Sequence, residues 1–438
     1  MDQTPVSERA RRRVTRRLIP YLLVLYLLAY LDRSNLSIAK LGMQRELNLT
    51  DEIIGYGVGV FFLGYFLLEI PGALLVERWS ARKWIARIMI SWGLVAALMG
   101  LTGLPVFGAT PVSQQFYTLR FLLGAAEAGF FPGVIVYLSH WFRAEDRARA
   151  KALFLISQPI SVIVGLPLSR WILENVRWGG LEGWRYVFIL EGFPSVLMGL
   201  VTLFYLTDRP EQARWLPDDE KQWLTGELRR EETARVAAGR VSIRAAFRQP
   251  EILLLTAVCF FIVTGNQALL YFLPSITDNM KSMSITARTA VTVLPYIFGL
   301  CGILLNGFSS NRTGERRWHT ALPMFVCGAG LSLAILAGDR LALVIAFFCL
   351  AGFANQAYLP VFWTLPTAFL GKSAAAAAIG TINSIGNLGG FVGPSIFGYL
   401  RTATGRYETG LWFLAGCMFF AGALASRIRV PREPKPIQ

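Results

Sequence analysis

The chain has 438 residues, of which 54% are hydrophobic and only 16% charged, against roughly 25% charged in soluble domains. That composition excludes an ordinary water-soluble fold and implies a polypeptide that crosses a bilayer many times. A net charge of +15 would suit nucleic acid as a partner, but the lysines and arginines gather in short segments between apolar stretches, so nucleic acid is excluded and the charge sets orientation instead.

About 20 apolar residues are needed to cross the hydrocarbon core. Twelve such spans are expected, at 18–41, 53–77, 84–104, 113–140, 148–173, 185–207, 251–276, 287–309, 319–337, 341–369, 374–401 and 408–427. The predicted fold class is therefore an all-α membrane protein with twelve helices in two six-helix halves. Expected boundaries are a basic amino-terminal segment at 1–17, a first bundle at 18–207, a connecting loop at 208–249, a second bundle at 250–427 and a tail at 428–438. Arg9, Arg11, Arg12, Arg13, Arg16 and Arg17 precede the first span, and further arginines and lysines follow spans two, four, eight, ten and twelve. By the excess of positive charge on the inner side, both termini are cytoplasmic. The short basic start, SERARRRVTRR, pins this orientation, with contact to anionic lipid as a second role. No cleavable signal peptide is expected, because the first apolar segment is full length.

The first span carries YLDRSNLSIA, placing Asp32 about 22 Å along the helix from Arg17. The second contains Tyr65, whose hydroxyl either donates to a bound oxyanion or packs on a neighbouring helix. Glu69, deeper toward the cytoplasm, reads as a partner for a loop arginine or as a second proton site. The fourth span holds RFLLGAAEAGFFPG, with Arg120 and Glu127 roughly 10 Å apart along one face. Each ionisable group at such depth costs about 3 kcal/mol or more, so the four charges Asp32, Arg33, Arg120 and Glu127 must pair, be hydrated or bind something. One reading is a structural Asp32–Arg120 ion pair, which leaves Arg33 and Glu127 over. The other is a site for an anion and protons.

The fifth span offers Gln158 as a ligand for a hydroxylated molecule or as an interhelical hydrogen-bonding group, and an expected break at Gly165-Leu166-Pro167. Glu191, in the sixth, either joins a proton path or partners Arg185 or Arg170. The connecting loop, with DDEKQWLTGELRREE as a surface helix, carries no catalytic motif. Beyond it, intramembrane charge is sparse, and neutral polar groups take over: Asn266, Gln267, Tyr271, Asn355, Gln356, Tyr358, Trp363, Thr364, Asn383 and Asn387. GNLGGFVGPSIFG, from Gly386 to Gly398, is expected to bend or pack closely.

ERWSARK (Glu77–Lys83) and NRTGERR (Asn311–Arg317) fit one pattern of acid or amide, arginine, any, small, any, basic, basic. They mark an internal repeat. Cys259, Cys301, Cys327, Cys349 and Cys417 all fall in predicted spans without a CxxC pair, and read as small core residues, not a disulfide or metal framework. The only two histidines, His140 and His319, fall at cytoplasmic span ends. No metal cluster, nucleophile motif or phosphate loop is present, so neither a cofactor nor an enzyme is expected.

Twelve spans in two halves, the repeated loops and RFLLG at the head of span four together resemble the major facilitator superfamily. RRLIPYLLVLYLLAYLDRSNLSIA, FFLGYFLLEIPGALL, the KWIARIMISWG run and RFLLGAAEAGFFPGVIVYLSHWF resemble its anion:cation symporter family, which includes transporters of tartrate, sugar acids, phthalate and hydroxyphenylacetate. The resemblance implies a multi-pass transporter of the cell's inner membrane, a monomer by the superfamily's habit, carrying a small organic anion with protons by alternating access. It implies Asp32 and Glu127 as proton carriers, Arg33, Tyr65 and Gln158 as substrate contacts, Arg120 as an ion-pair partner of Asp32, and, through looser local similarity, Trp363 and Asn387 as further contacts. Glu77, Arg78, Arg82, Asn311, Arg312 and Arg316 fall in the loops implied to gate. Ser80 stands where the family's loop has glycine and Glu77 is its acid; the run associated with antiport is incomplete around Gly165, which leans toward symport. An organic-anion or phosphate-ester exchanger, and a membrane sensor that binds without transport, are the alternatives.

Overall fold

The computed structural model describes residues 5–155, 157–237, 249–369 and 372–429, and every regular element among them is helical. In chain order, α1 (Val6–Ser34) and α2 (Leu36–Leu47) occupy the first predicted span, α3 (Asp51–Arg78) the second and α4 (Ala81–Met99) the third. The fourth is shared by α5 (Val112–Glu127) and α6 (Phe130–Ser139), the fifth by α7 (Ala144–Leu155) and α8 (Ser157–Asn175), and α9 (Gly183–Tyr205) is the sixth. The connector forms α10 (Asp218–Ala237). There follow α11 (Pro250–Asp278), α12 (Ile285–Thr313), α13 (Arg317–Leu336), α14 (Leu341–Ala357), α15 (Leu359–Phe362), α16 (Leu365–Phe369), α17 (Lys372–Asn387), α18 (Gly389–Thr404) and α19 (Tyr407–Ala425).

Nine helical stretches among the described residues are long and apolar enough to cross a membrane. The predicted third, fifth and eleventh spans fall short of that standard. In the third the reason is charge, since α4 opens on Arg82, Lys83 and Arg87. The predicted break at Gly165-Leu166-Pro167 is absent: α8 runs through Pro167 to Asn175. Proline is tolerated in such helices because neighbouring groups re-satisfy the freed carbonyl.

The helices sort into two units, one of Met1–Asn48 with Leu63–Ala238 and one of Leu49–Phe62 with Gly239–Gln438. In the first, α4 and α9 approach until backbones touch. A Cβ on Gly93 would lie 2.7 Å from the carbonyl oxygen of Gly192, and one on Gly192 would lie 2.8 Å from that of Gly93. Small residues allow this where apolar helices have no water to drive them together. Gly64 does the same for α3 on α5, where a Cβ would meet the Phe121 carbonyl oxygen at 2.3 Å. The basic start of the chain is the first part of α1, and it docks on α10: Arg9 donates to Asp219 at 2.5 Å, and Arg13 to Glu220 at 2.9 Å. Glu220 is only 1% exposed. Arg11 reaches Asp146 at the start of α7 at 2.5 Å, and Arg17 lies over the rings of Tyr205 and Trp215.

In the second unit, the glycine-rich segment packs closely on α11, as its composition suggested; a Cβ on Gly393 would lie 2.0 Å from the Thr264 carbonyl oxygen. Span ten is interrupted after α14, and Asn306 of α12 donates to the carbonyl of Ala357 at that break, at 2.8 Å. The five cysteines are free, four of them buried and Cys301 exposed.

Candidate functional site

The close pairs of the first unit aim the polar side chains. Trp92 sits beside Gly93 and Ser195 one turn from Gly192, so the contact between α4 and α9 brings both to Asp32 near the end of α1. Trp92 Nε1 donates to Asp32 Oδ2 at 2.8 Å, and Ser195 Oγ donates to the same oxygen at 2.6 Å. Tyr65 follows Gly64, so the contact between α3 and α5 brings its ring under the guanidinium of Arg33, 5.5 Å from the ring centroid. Tyr30, one turn before Arg33 on α1, presents its ring to the same guanidinium at 5.3 Å, and its hydroxyl accepts from Gln158 Nε2 of α8.

The partner of Arg33 is Glu127, through an ion pair from its Nη2 to Oε1. Glu127 is the last residue of α5, because the chain turns there: Ala128 is extended at φ −55° and ψ 135°, and Gly129 adopts φ +85° before α6 begins. Only glycine takes that conformation without strain. The site thus sits at an interrupted helix, the kind of place where membrane transporters expose backbone polar groups at depth. Arg120, fully buried on α5 two turns before Glu127, acts on it electrostatically.

Sequence reasoning anticipated which residues converge here, and the pairing differs from the expectation. The ion pair is Arg33–Glu127, whereas Asp32 is held by neutral donors and forms no ion pair with Arg120. The indole of Trp92 on α4 and the hydroxyl of Ser195 on α9 both address Asp32 Oδ2. Glu191, 3% exposed, accepts from Ser169 at 2.8 Å; of the arginines expected beside it, Arg185 pairs with Glu46 at 2.7 Å and Arg170 with Glu174 at 3.2 Å. Glu69 is buried one turn beyond Tyr65. Trp363 and Asn387 belong to the second unit, both half-buried at helix interruptions, Trp363 between α15 and α16 and Asn387 at the end of α17. Tyr30, Trp92 and Ser195 were missed. Tyr30 had a signal, its i, i+3 spacing to Arg33; Trp92 and Ser195 had none beyond lying next to small residues.

In the loop after α3, Ser80 accepts from the amide of Lys83 and so caps α4, and its hydroxyl donates to Asp208 at 2.7 Å. The Arg82 amide donates to the other Asp208 oxygen at 2.8 Å. Serine in the glycine position thus serves as a helix cap. The side chains of Glu77 and Arg78 lie outside the described residues. In the second copy, Asn311, Arg312 and Arg316 occupy the exposed to half-buried end of α12 and the turn before α13. The Glu315 carboxylate there accepts from the amides of Trp318 and His319 at 2.8 and 3.1 Å.

The family model of the Major Facilitator Superfamily matches residues 22–394 and 282–438. The chain belongs to this superfamily. It is a multi-pass membrane transporter of the inner membrane. A protein of Agrobacterium vitis provisionally named a tartrate transporter is 41% identical over 413 residues, covering 94% of this chain and 93% of that protein. Another from Pseudomonas putida, provisionally named metabolite transport protein NicT, is 37% identical across 93% of this chain and 92% of its own length. Among solved structures, a bacterial homologue of the human lysosomal transporter Spinster superposes with a TM-score of 0.76 at 17% identity, covering 96% of this chain and 97% of that one. That likeness concerns the superfamily fold.

Proposed function

We propose that this transporter is a proton-coupled symporter that takes up a small organic anion, such as tartrate or a sugar acid, by alternating access, with both termini cytoplasmic and the two bundles bounded at 18–207 and 250–427. The observation that supports the reading is the Arg33–Glu127 ion pair, buried among the tyrosines of the first unit. A guanidinium is the side chain best matched to a carboxylate, which it binds through two parallel charge-assisted hydrogen bonds. Glu127 and a substrate carboxylate therefore compete for one cation. Protonating Glu127 frees Arg33 for the substrate, and bound substrate in turn favours the protonated Glu127, so proton and anion enter together. Asp32 is the second proton carrier, and Arg120 keeps the local charge balance as each carboxyl titrates. Gln158, Tyr65 and, from the second unit, Trp363 and Asn387 are proposed to contact the hydroxyl groups or body of the substrate. The arginines of the two repeated loops are proposed to gate. The substrate class rests on the names of the relatives at about 40% identity.

The test is uptake into proteoliposomes of tartrate, galactonate, glucuronate, phthalate and hydroxyphenylacetate, with and without an acid-outside gradient. One acid is expected to accumulate with the gradient, and Glu127→Gln is expected to lose accumulation while retaining exchange. Uptake indifferent to the gradient and driven by internal anion would overturn symport in favour of an organic-anion or phosphate-ester exchanger.

A further inference from the structure

The amino-terminal arginines divide by what they touch. Arg9, Arg11 and Arg13 meet the carboxylates of Asp219, Asp146 and Glu220, and Arg17 lies over the rings of Tyr205 and Trp215. Arg12 and Arg16 are exposed and form no ion pair among the described residues. They are i, i+4 neighbours, one turn apart on the surface of α1. Glu8, the one acid of α1 ahead of Asp32, lies a further turn out, so the two arginines stand between it and the site.

Their face of α1 is the one that leads to Arg33. Steps of four, seven, four and three residues join Arg12, Arg16, Leu23, Leu27 and Tyr30, the spacing of a single helical stripe, and Tyr30 presents its ring to the Arg33 guanidinium. Along that stripe Arg12 and Arg16 are exposed and Leu23 and Leu27 half-buried, and Arg33 beyond it keeps 14% of its side chain accessible. Orientation of the first segment is served by any of the six arginines and does not require two of them on the stripe that carries Tyr30. Since α1 is one unbroken helix here, Arg16 stands about 25 Å from Arg33 along the axis. The Debye length at 0.1 M salt is about 10 Å, so the pair is too distant to alter the hold of Arg33 on a carboxylate. Its effect on an anion is exerted at its own end of the stripe.

We infer that Arg12 and Arg16 form a second anion station at the cytoplasmic end of α1, which gathers small carboxylates at the inner end of the stripe that leads to Arg33. This rests on the organic-anion transport and the cytoplasmic termini proposed above. A cluster of one sign of charge raises the local concentration of the opposite ion and speeds its encounter. Each guanidinium can take a carboxylate through two parallel hydrogen bonds, so two of them one turn apart suit a small dicarboxylate better than a monoacid. The station acts on anions that arrive from inside. It therefore sets half-saturation of exchange at the inner face and leaves that at the outer face untouched.

The experiment measures exchange of the panel acid that wild type carries, in inverted membrane vesicles, whose medium bathes the cytoplasmic face, and in right-side-out vesicles. Half-saturation is a concentration and does not depend on how much protein is inserted. Arg12→Gln combined with Arg16→Gln is expected to raise the inner-face value about threefold or more at about 20 mM salt and to leave the outer-face value unchanged. The difference is expected to vanish at about 0.5 M salt, where the Debye length is about 4 Å. Arg12→Lys combined with Arg16→Lys keeps the charge and is expected to stay near wild type. An unchanged inner-face value at low salt, or an equal rise on both faces, would overturn the station. So would loss of the difference when the vesicles are fused with phosphatidylcholine liposomes, since that assigns the arginines to anionic lipid. A rise on the outer face alone would overturn the cytoplasmic placement. If wild type exchanges no acid of the panel, organic-anion transport fails first and the station with it, which separates the two failures.

Discussion

Competition between Glu127 and substrate for Arg33 predicts a particular pH dependence of binding. Where Glu127 must take up one proton for each anion bound, linkage makes the apparent Kd rise tenfold per pH unit, about 1.4 kcal/mol per unit, over the range in which the empty protein holds Glu127 ionised. Glu127→Gln removes the competing anion, so the slope falls to zero. It also leaves the Arg33 charge buried beside two tyrosine rings without its carboxylate. Loss of one partner from a buried pair costs about 3–5 kcal/mol, which an arriving carboxylate partly recovers. At high pH, where wild type holds the pair intact, the variant should therefore bind at least tenfold more tightly. Both quantities can be read by calorimetric titration of detergent-purified protein between pH 6.5 and 8.5, a range in which the carboxyls of the panel acids are almost wholly ionised. A slope in Glu127→Gln equal to that of wild type would refute the competition, as would a flat wild-type profile.

Arg33→Lys keeps the charge but loses the planar fork and its stacking on Tyr30 and Tyr65; at about 0.5–1 kcal/mol per ring contact plus one charge-assisted hydrogen bond of roughly 1.5–3 kcal/mol, exchange Km should rise tenfold or more, and a change below threefold would count against substrate contact. Gly192→Ala places a Cβ 2.8 Å from the Gly93 carbonyl oxygen, whereas Gly416 has nothing within 4 Å of the same atom. Helix propensity alone favours both substitutions by about 1 kcal/mol and overpacking costs about 1–3 kcal/mol, so thermal melting should fall for Gly192→Ala and rise for Gly416→Ala. Glu220→Gln weakens the docking of Arg9 and Arg13, with an expected loss of about 1–3 kcal/mol, seen as a lower melting temperature that 0.5 M salt no longer depresses further. Burial raises the pKa of Glu315, but hydrogen bonds from the Trp318 amide and from His319 outweigh it and hold the carboxyl below its ordinary value. Its stabilising contribution is therefore complete above the unfolded value near 4.5 and lost as pH falls through the folded one, and Glu315→Gln should flatten that acid limb of the melting profile.

Much of this architecture was legible because hydropathy and charge are summed over long segments. Membership of the superfamily could be read from the loop repeat and span four. Residues meeting at the site could also be named, since Asp32, Arg33, Arg120 and Glu127 are conspicuous in hydrocarbon wherever they point. Pairing could not be read, because it depends on helix rotation and on angstrom-scale separation. Whether Asp32 faces Arg120 or faces Trp92 and Ser195 is decided by how closely Gly93 and Gly192 let α4 and α9 approach, and a glycine in a sequence does not name its neighbour. The interruption after Glu127 was also hidden, since AGFFPG reads as a continuation of an apolar helix until Gly129 is found at φ +85°. Pro167, which looked like a break, is carried inside a helix.

The docking of the amino-terminal arginines on α10 has a consequence for synthesis. Arg9 and Asp219 are 210 residues apart, a gap that takes roughly 10–40 s to translate. Throughout that interval Arg9 and Arg13 lack their partners on α10 and stay available as positive charge beside the first apolar segment. Once α10 emerges, the same residues are neutralised and stapled. Positive charge present from the start of synthesis is thereby converted into a tie between α1 and α10, so that completion of that half is registered chemically at the place where its synthesis began.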